Sequence, residues 1–302
     1  MEQKKSIFEN KRLVPLLALI AVFAWGCAYP LIKIGVAQFH IAANDIGGKT
    51  LFAGIRFLLA GIVVLALAKI KKRDFTIQKT DWKWVQGFAF VNTALHYFCF
   101  YLGVSNSPGS RASVLNSLST FLLVFLACAF FPEEHVTKKK VIGCAVGFLG
   151  LLLLNVGSGM AAAFTFMGDG MIIINCLCSA FGGILTRVVC RKMDAVVATG
   201  FSLGLGGVML IVAGLVMGGR ISVVTPKGIF VLFLLVCISS VAFYIYNQLI
   251  KLHPVGQVAI YNSLIPIFGI LMSCLLLGEP FVAKYILAGI LVAIGVYILN
   301  YN

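Results

Sequence analysis

The chain has 302 residues, of which 61% are hydrophobic and 11% charged, with a formal net charge of +14. No soluble core absorbs that much apolar surface, so the composition excludes a soluble enzyme or binding module and points to a polytopic membrane protein. A basic balance of this size would suggest a nucleic-acid partner in a soluble protein, but here the charges fall where membrane topology places them.

A spanning helix needs about 20 mostly apolar residues. Runs that meet this requirement are expected at 15–37, 50–69, 84–103, 111–131, 139–156, 170–190, 195–217, 228–250, 257–277 and 283–300, ten helices joined by short loops. The first run follows Lys4, Lys5, Lys11 and Arg12, as the apolar part of a signal peptide would. It is too long for one and lacks a small-x-small cleavage site, so it reads as helix 1. With the N-terminus in the cytoplasm, seventeen of the twenty-four Lys and Arg lie in or beside cytoplasmic segments and five outside, while Lys33 and Arg56 lie within helices. This bias is the positive-inside pattern.

In helix 1, Trp25, Tyr29 and Lys33 are spaced four apart and share one face, while Pro30 removes a backbone hydrogen bond and permits a bend. That face suits a cavity lining, with Lys33 a candidate anion contact; the alternative is a lysine that snorkels to the interface and a proline that kinks for packing. Arg56 of helix 2 counts as close to the outer end, where contact with helix-end carbonyls or the interface is the favoured reading. Helix 3 carries Asn92 and His96 four apart, with Tyr97 and Tyr101 on an adjoining stripe, polar groups that should face the bundle interior. His96 titrates near neutrality by type, but a structural or substrate contact is favoured over a proton relay.

Asn116 and Asn262, with Tyr261 beside the second, lie near the starts of helices 4 and 9. Helix 6 presents Asn175, Ser179, Gly182 and Thr186 on one face, and helix 8 presents Ser240, Tyr244 and Asn247. Such stripes suit either a solute path or hydroxyl and small-residue packing between helices. No Asp or Glu lies deep in any expected helix, and Glu133, Glu134 and Glu279 fall in turns, where helix capping is the favoured role. Nine cysteines lack metal-ligand spacing and read as buried free thiols. A membrane-embedded enzyme would need a nucleophile-base or metal constellation and a channel would need a charged ring or carbonyl filter. Neither pattern is visible, so no catalytic residue, metal or cofactor is assigned.

A shift of 146 residues lays "PGSRASVLNSLSTFLLVFLACAFFPEEHVTKKKVIG" from Pro108 over "PVGQVAIYNSLIPIFGILMSCLLLGEPFVAKYILAG" from Pro254 without a gap. Asn116-Ser117-Leu118 then matches Asn262-Ser263-Leu264, Glu133 matches Glu279, and Gly143 matches Gly289. The chain therefore reads as two five-helix repeats, 1–156 and 157–302. Five is odd, so the second copy is inverted in the membrane, an architecture recurrent in secondary transporters.

The segments "WGCAYPLIKIG", "FAGIRFLLAG", "HYFCFYLGVSNSPGSRASVLNSL" and "YNSLIPIFGILMSCLLLGEPF…AGILVAIGVYIL" resemble the drug/metabolite transporter superfamily, and within it the EamA-type exporters. The first repeat departs from the pattern, with Thr120 in the proline position and "FPEE" in place of the Gly-Glu turn. The resemblance implies an all-α bundle of ten transmembrane helices with both termini cytoplasmic, in the cytoplasmic membrane. It also implies a central cavity lined mainly by helices 1, 3, 4, 6, 8 and 9. The expected partners are a small organic solute and membrane lipids, with no nucleic acid; the pattern is compatible with a homodimer. The expected function is export or exchange of a metabolite such as an amino acid, with drug-like or nucleoside-like compounds as the alternative.

Overall fold

The computed structural model describes residues 7–107, 109–154 and 164–301, and among them every regular element is helical. The expected repeat boundary at 156/157 and the Pro108 end of the repeat match lie outside the described residues. Two short 3-10 turns lead into α1 (Val14–Gln38), followed by α2 (Ile46–Ile70). The third apolar stretch is α3 (Trp82–Ala89), a π-helical turn (Phe90–Leu95) and α4 (His96–Ser105). Then come α5 (Gly109–Phe130), α6 (Lys138–Leu154), α7 (Met171–Lys192), α8 (Ala195–Val216) and α9 (Pro226–Leu252). The chain finishes with α10 (Val255–Ala259), a 3-10 turn (Ile260–Leu264), α11 (Ile265–Leu277) and α12 (Lys284–Asn300).

Seven helical stretches among the described residues are long and apolar enough to cross a membrane, and Leu115–Phe130 and Lys284–Asn300 are shorter apolar helices. Large side chains such as Ile62, Leu67, Phe230, Phe233, Leu275 and Ile286 are exposed on the outside of the bundle. A surface this apolar is what lipid contact requires.

Local chemistry sets the helix starts. The Asp45 side chain accepts from Gly48 N at 2.7 Å, and Thr225 accepts from Gly228 N at 2.9 Å with Pro226 in the first turn, so both starts are capped. Asp45 begins α2 about one turn earlier than hydropathy alone suggests, which places Arg56 deeper than expected. Two helices that the 146-residue shift superimposes, α5 and α11, end differently. Gly278 closes α11 in the left-handed conformation, φ 67°, whereas the matching position in the first repeat is Pro132, whose ring fixes φ near −65° and forbids that cap.

Helices pair in a definite order. α2 lies along α8 and α6 along α12, α1 is held between α9 and α11, and α7 between α4 and α5. The α2–α8 contact is a glycine seam: a Cβ on Gly54 would strike the backbone of Gly207 and Ile211, and one on Gly61 would strike Gly204. As numbers rise along α2 they fall along α8, so the pair is antiparallel. Without a hydrophobic drive between helices in lipid, this close backbone approach is what holds them.

The π turn interrupts the third stretch where sequence periodicity assumed one continuous α-helix. Asn92 falls inside it and His96 just beyond it, so their four-residue spacing does not stack them as an α-helix would.

Candidate functional site

Midway along the bundle, aromatic rings from four helices meet. Trp25 of α1 packs edge-on against Phe243 and Tyr246 of α9, with centroids 5.1 and 5.0 Å apart. Phe57 of α2 lies 4.2 Å from Tyr97 of α4 and 6.3 Å from Phe243, and Tyr97 meets its neighbour His96 at 4.5 Å. Tyr29 is 40% exposed, lies against α11 at Gly269 and is within electrostatic reach of Tyr97. Trp25, Tyr29 and Tyr97 are therefore brought together, and Tyr101, buried at 6%, joins them one turn further along α4.

Amide side chains border the aromatic cluster. Asn175 of α7, fully buried, donates to Asn116 Oδ1 of α5 at 2.6 Å, and its backbone carbonyl lies 3.4 Å from His96 Nδ1. Asn262 donates to the Tyr246 hydroxyl at 2.8 Å. Trp25 Nε1, Asn175 Oδ1 and Asn262 Oδ1 are buried without a hydrogen-bond partner among the described residues. Unpaired buried polar atoms cost stability and are rare enough to need a reason. Ser179 is half-buried and makes no hydrogen bond among the described residues.

Other residues singled out by sequence sit elsewhere. Asn92 contacts Gly182 of α7 and reaches Ser202 of α8 at 3.5 Å. Thr186 bonds back to the Gly182 carbonyl, and Ser240 to that of Val236, both at 2.8 Å. Asn247 donates to Thr199 Oγ1 at 2.9 Å in an α8–α9 contact. Tyr244 packs on Phe8 with Lys71 over its ring, at one end of the bundle. Tyr261 is buried in the apolar core around α5, α9 and α12. The α9 stripe that joins the central cluster is instead Ser239, Phe243 and Tyr246, offset by one residue from Ser240, Tyr244 and Asn247 and having the same spacing.

Arg56 corrects an expectation. It is 3% exposed and lies ten residues past the start of α2, about 15 Å of helical rise from it. Its Nε donates to Ser239 Oγ at 2.8 Å and its guanidinium lies 5.0 Å from the Phe57 centroid.

Charged groups gather at both ends. At the end where α5, α7 and α9 finish, Glu134 is 3% exposed; it accepts from Arg187 Nη1 at 3.1 Å, from Lys140 at 3.3 Å, and from the backbone N–H groups of Val255 and Gly256. It does cap a helix, but α10 of the other half rather than its own successor, α6. Glu133 accepts from Arg187 at 2.9 Å and Arg191 at 2.6 Å, and His253 Nε2 meets the Phe8 carbonyl at 2.6 Å. The Arg191 hydrogen bond, with further help from the charge of Arg187, holds the Glu133 carboxyl below its ordinary pKa. At the opposite end an exposed pair, Lys33–Glu279 at 2.8 Å, joins α1 to the turn after α11. Lys33 thus meets a carboxylate of the chain itself.

The profile of the EamA-like transporter family matches residues 12–156 and 166–301. The chain belongs to that family. Among EamA relatives, "Uncharacterized transporter YvbV" of Bacillus subtilis (strain 168) is 25% identical over 288 residues, spanning 94% of this chain and 90% of its own. "WAT1-related protein At3g02690, chloroplastic" of Arabidopsis thaliana is 22% identical, covering 92% of this chain and 67% of its own. A solved crystal structure superposes with a TM-score of 0.77 at 16% identity, covering 95% of this chain and 96% of the other, and so shares the fold. Family membership and the apolar helices together make this an integral, multi-pass membrane protein.

Proposed function

We propose that the protein is a secondary transporter, an exporter or exchanger, that moves a small organic metabolite such as an amino acid across the cytoplasmic membrane by alternating access. In this reading ten helices form two inverted five-helix repeats, both termini are cytoplasmic, and the Glu134 end faces the cytoplasm.

The observation that carries the reading is how helix pairing behaves under the 146-residue shift. α2 and α8 are counterparts and pair with each other, as do α6 and α12. The partners of α1, namely α9 and α11, are the counterparts of α4 and α5, the partners of α7. Such exchange is expected of a two-fold axis in the membrane plane, which lets two half-structures swap conformations and open to alternate sides. The charged ends follow the same relation, because Glu133 and Glu279 are counterparts and each binds a cation from the repeat-opening helix, Arg187 or Arg191 of α7 and Lys33 of α1. The cluster of Trp25, Tyr29, Tyr97 and Phe243 lies between these ends, where a solute would be held. His96, Asn116, Asn175, Ser179 and Asn262 border it and supply polar contacts.

Counterflow in proteoliposomes tests this. Vesicles preloaded with unlabelled amino acids should transiently accumulate a labelled member, and Tyr97→Ala should cut the initial rate about tenfold or more, as loss of a buried aromatic contact does. No accumulation of any amino acid, from protein shown to be folded and inserted, would contradict the reading and direct attention to nucleoside-like and drug-like solutes.

A further inference from the structure

We infer that Arg56 is the anion anchor of the central site, and that the transported solute carries a carboxylate which the guanidinium grips. This deepens the carrier reading and rests on it.

The argument begins with a charge that has no counter-charge. Arg56 lies halfway along α2, and its partner Ser239 lies thirteen residues into the 27-residue α9, so the contact is central in both helices. An arginine keeps its proton in any protein environment. A buried cation in a membrane-spanning bundle is costly unless it is paired, which is why such residues mark substrate or ion paths. Yet no carboxylate pairs with Arg56 among the described residues, and the acidic side chains lie at helix ends or in turns.

The guanidinium is also under-used as a donor. It offers five N–H groups. One donates to Ser239; the rest have no hydrogen-bond partner among the described residues. The nearby polar groups are the hydroxyls of Tyr97 and Tyr101, uncharged acceptors that also donate. A carboxylate fits a guanidinium through two parallel N–H···O bonds, and those hydroxyls can donate to the same oxygens. The rings of Phe57, Tyr97, Phe243 and Trp25 continue from the charge as one aromatic surface, suited to the apolar body of the solute. Beyond them, Trp25 Nε1 and Asn262 Oδ1 are buried and unpaired among the described residues, one a donor and one an acceptor.

The test pairs thermal unfolding in detergent with counterflow, using phenylacetate and L-phenylalanine, their amides phenylacetamide and L-phenylalaninamide, and inorganic phosphate as probes. The carboxylates should raise the unfolding midpoint, whereas the amides and phosphate should not. Arg56→Gln should abolish the carboxylate response. Arg56→Lys keeps the charge but loses the fork, and it should raise the carboxylate concentration needed for half the response roughly tenfold; this variant decides the matter if Arg56→Gln does not fold. Equal stabilisation by acid and amide, or a carboxylate response unchanged in both variants, would overturn the anion anchor whatever counterflow shows. Stabilisation by phosphate as large as that by phenylacetate would overturn the carboxylate assignment. Carboxylate stabilisation that depends on Arg56, with no counterflow of either acid, would instead remove the carrier reading for these solutes and leave the site standing.

Discussion

At the scale of single residues, the two ends of the bundle differ in strength. Glu134 is buried and meets two cations and two backbone donors, while Glu279 and Lys33 keep 45% and 63% of their side chains exposed. Removing one partner of a buried pair costs about 3–5 kcal/mol because a charge is left uncompensated, whereas an exposed pair contributes about 0–1 kcal/mol. Glu134→Gln should therefore lower the thermal midpoint sharply and Glu279→Gln hardly at all; equal losses would contradict this ranking. Glu133 adds a pH dependence whose sign is fixed. Its carboxyl titrates below the ordinary range because of the Arg191 hydrogen bond, so its pairing is fully present above the unfolded-state pKa and is lost as pH falls through the lowered value. Counterflow rates measured between about pH 6 and 8 should show no step that Glu133→Gln removes; such a step would refute the assignment.

Element by element, the glycine seam predicts opposite outcomes at neighbouring positions. A Cβ at Gly61 would enter the backbone of Gly204, whereas one at Gly204 finds only the Gly61 Cα at 4.0 Å. Gly61→Ala should cost about 1–3 kcal/mol, as overpacking does, and Gly204→Ala should be neutral or slightly stabilising through helix propensity. Thermal unfolding of the two variants checks the pair, and similar midpoints would show that the helices are not in this register. Elements were also where sequence reading reached furthest. Hydropathy located the apolar stretches. What it missed has physical causes. The π turn at Phe90–Leu95 is built from residues that favour an ordinary helix, so nothing local announces it. Ser239, Phe243 and Tyr246 offer a stripe indistinguishable in spacing from Ser240, Tyr244 and Asn247, and only tertiary packing chooses between them. Hydropathy alone sets Arg56 near a helix end because it does not register the cap at Asp45, which lengthens α2. Glu134 became buried through contacts with α7 and α10, remote in sequence.

For the whole molecule, the two charged ends differ in burial, and the proposed carrier cycle gives that difference a role. The Glu133–Glu134 cluster is largely buried and the Lys33–Glu279 pair exposed; in the proposed alternating cycle the exposed pair is the side expected to open first. In the proposed cycle the opposite half would be reached by trading the packing of α7 with α4 and α5 for that of α1 with α9 and α11. The coupling between ends is what distinguishes a carrier from a pore.

The most direct measurement is therefore cross-linking at each end in turn, with Lys33→Cys and Glu279→Cys as one pair and Glu133→Cys and Arg191→Cys as the other, each scored by counterflow before and after reduction. Either cross-link should stop counterflow, and a reductant should restore it, because each locks one side shut while the cycle needs both to open. Undiminished counterflow with both ends cross-linked would contradict alternating access.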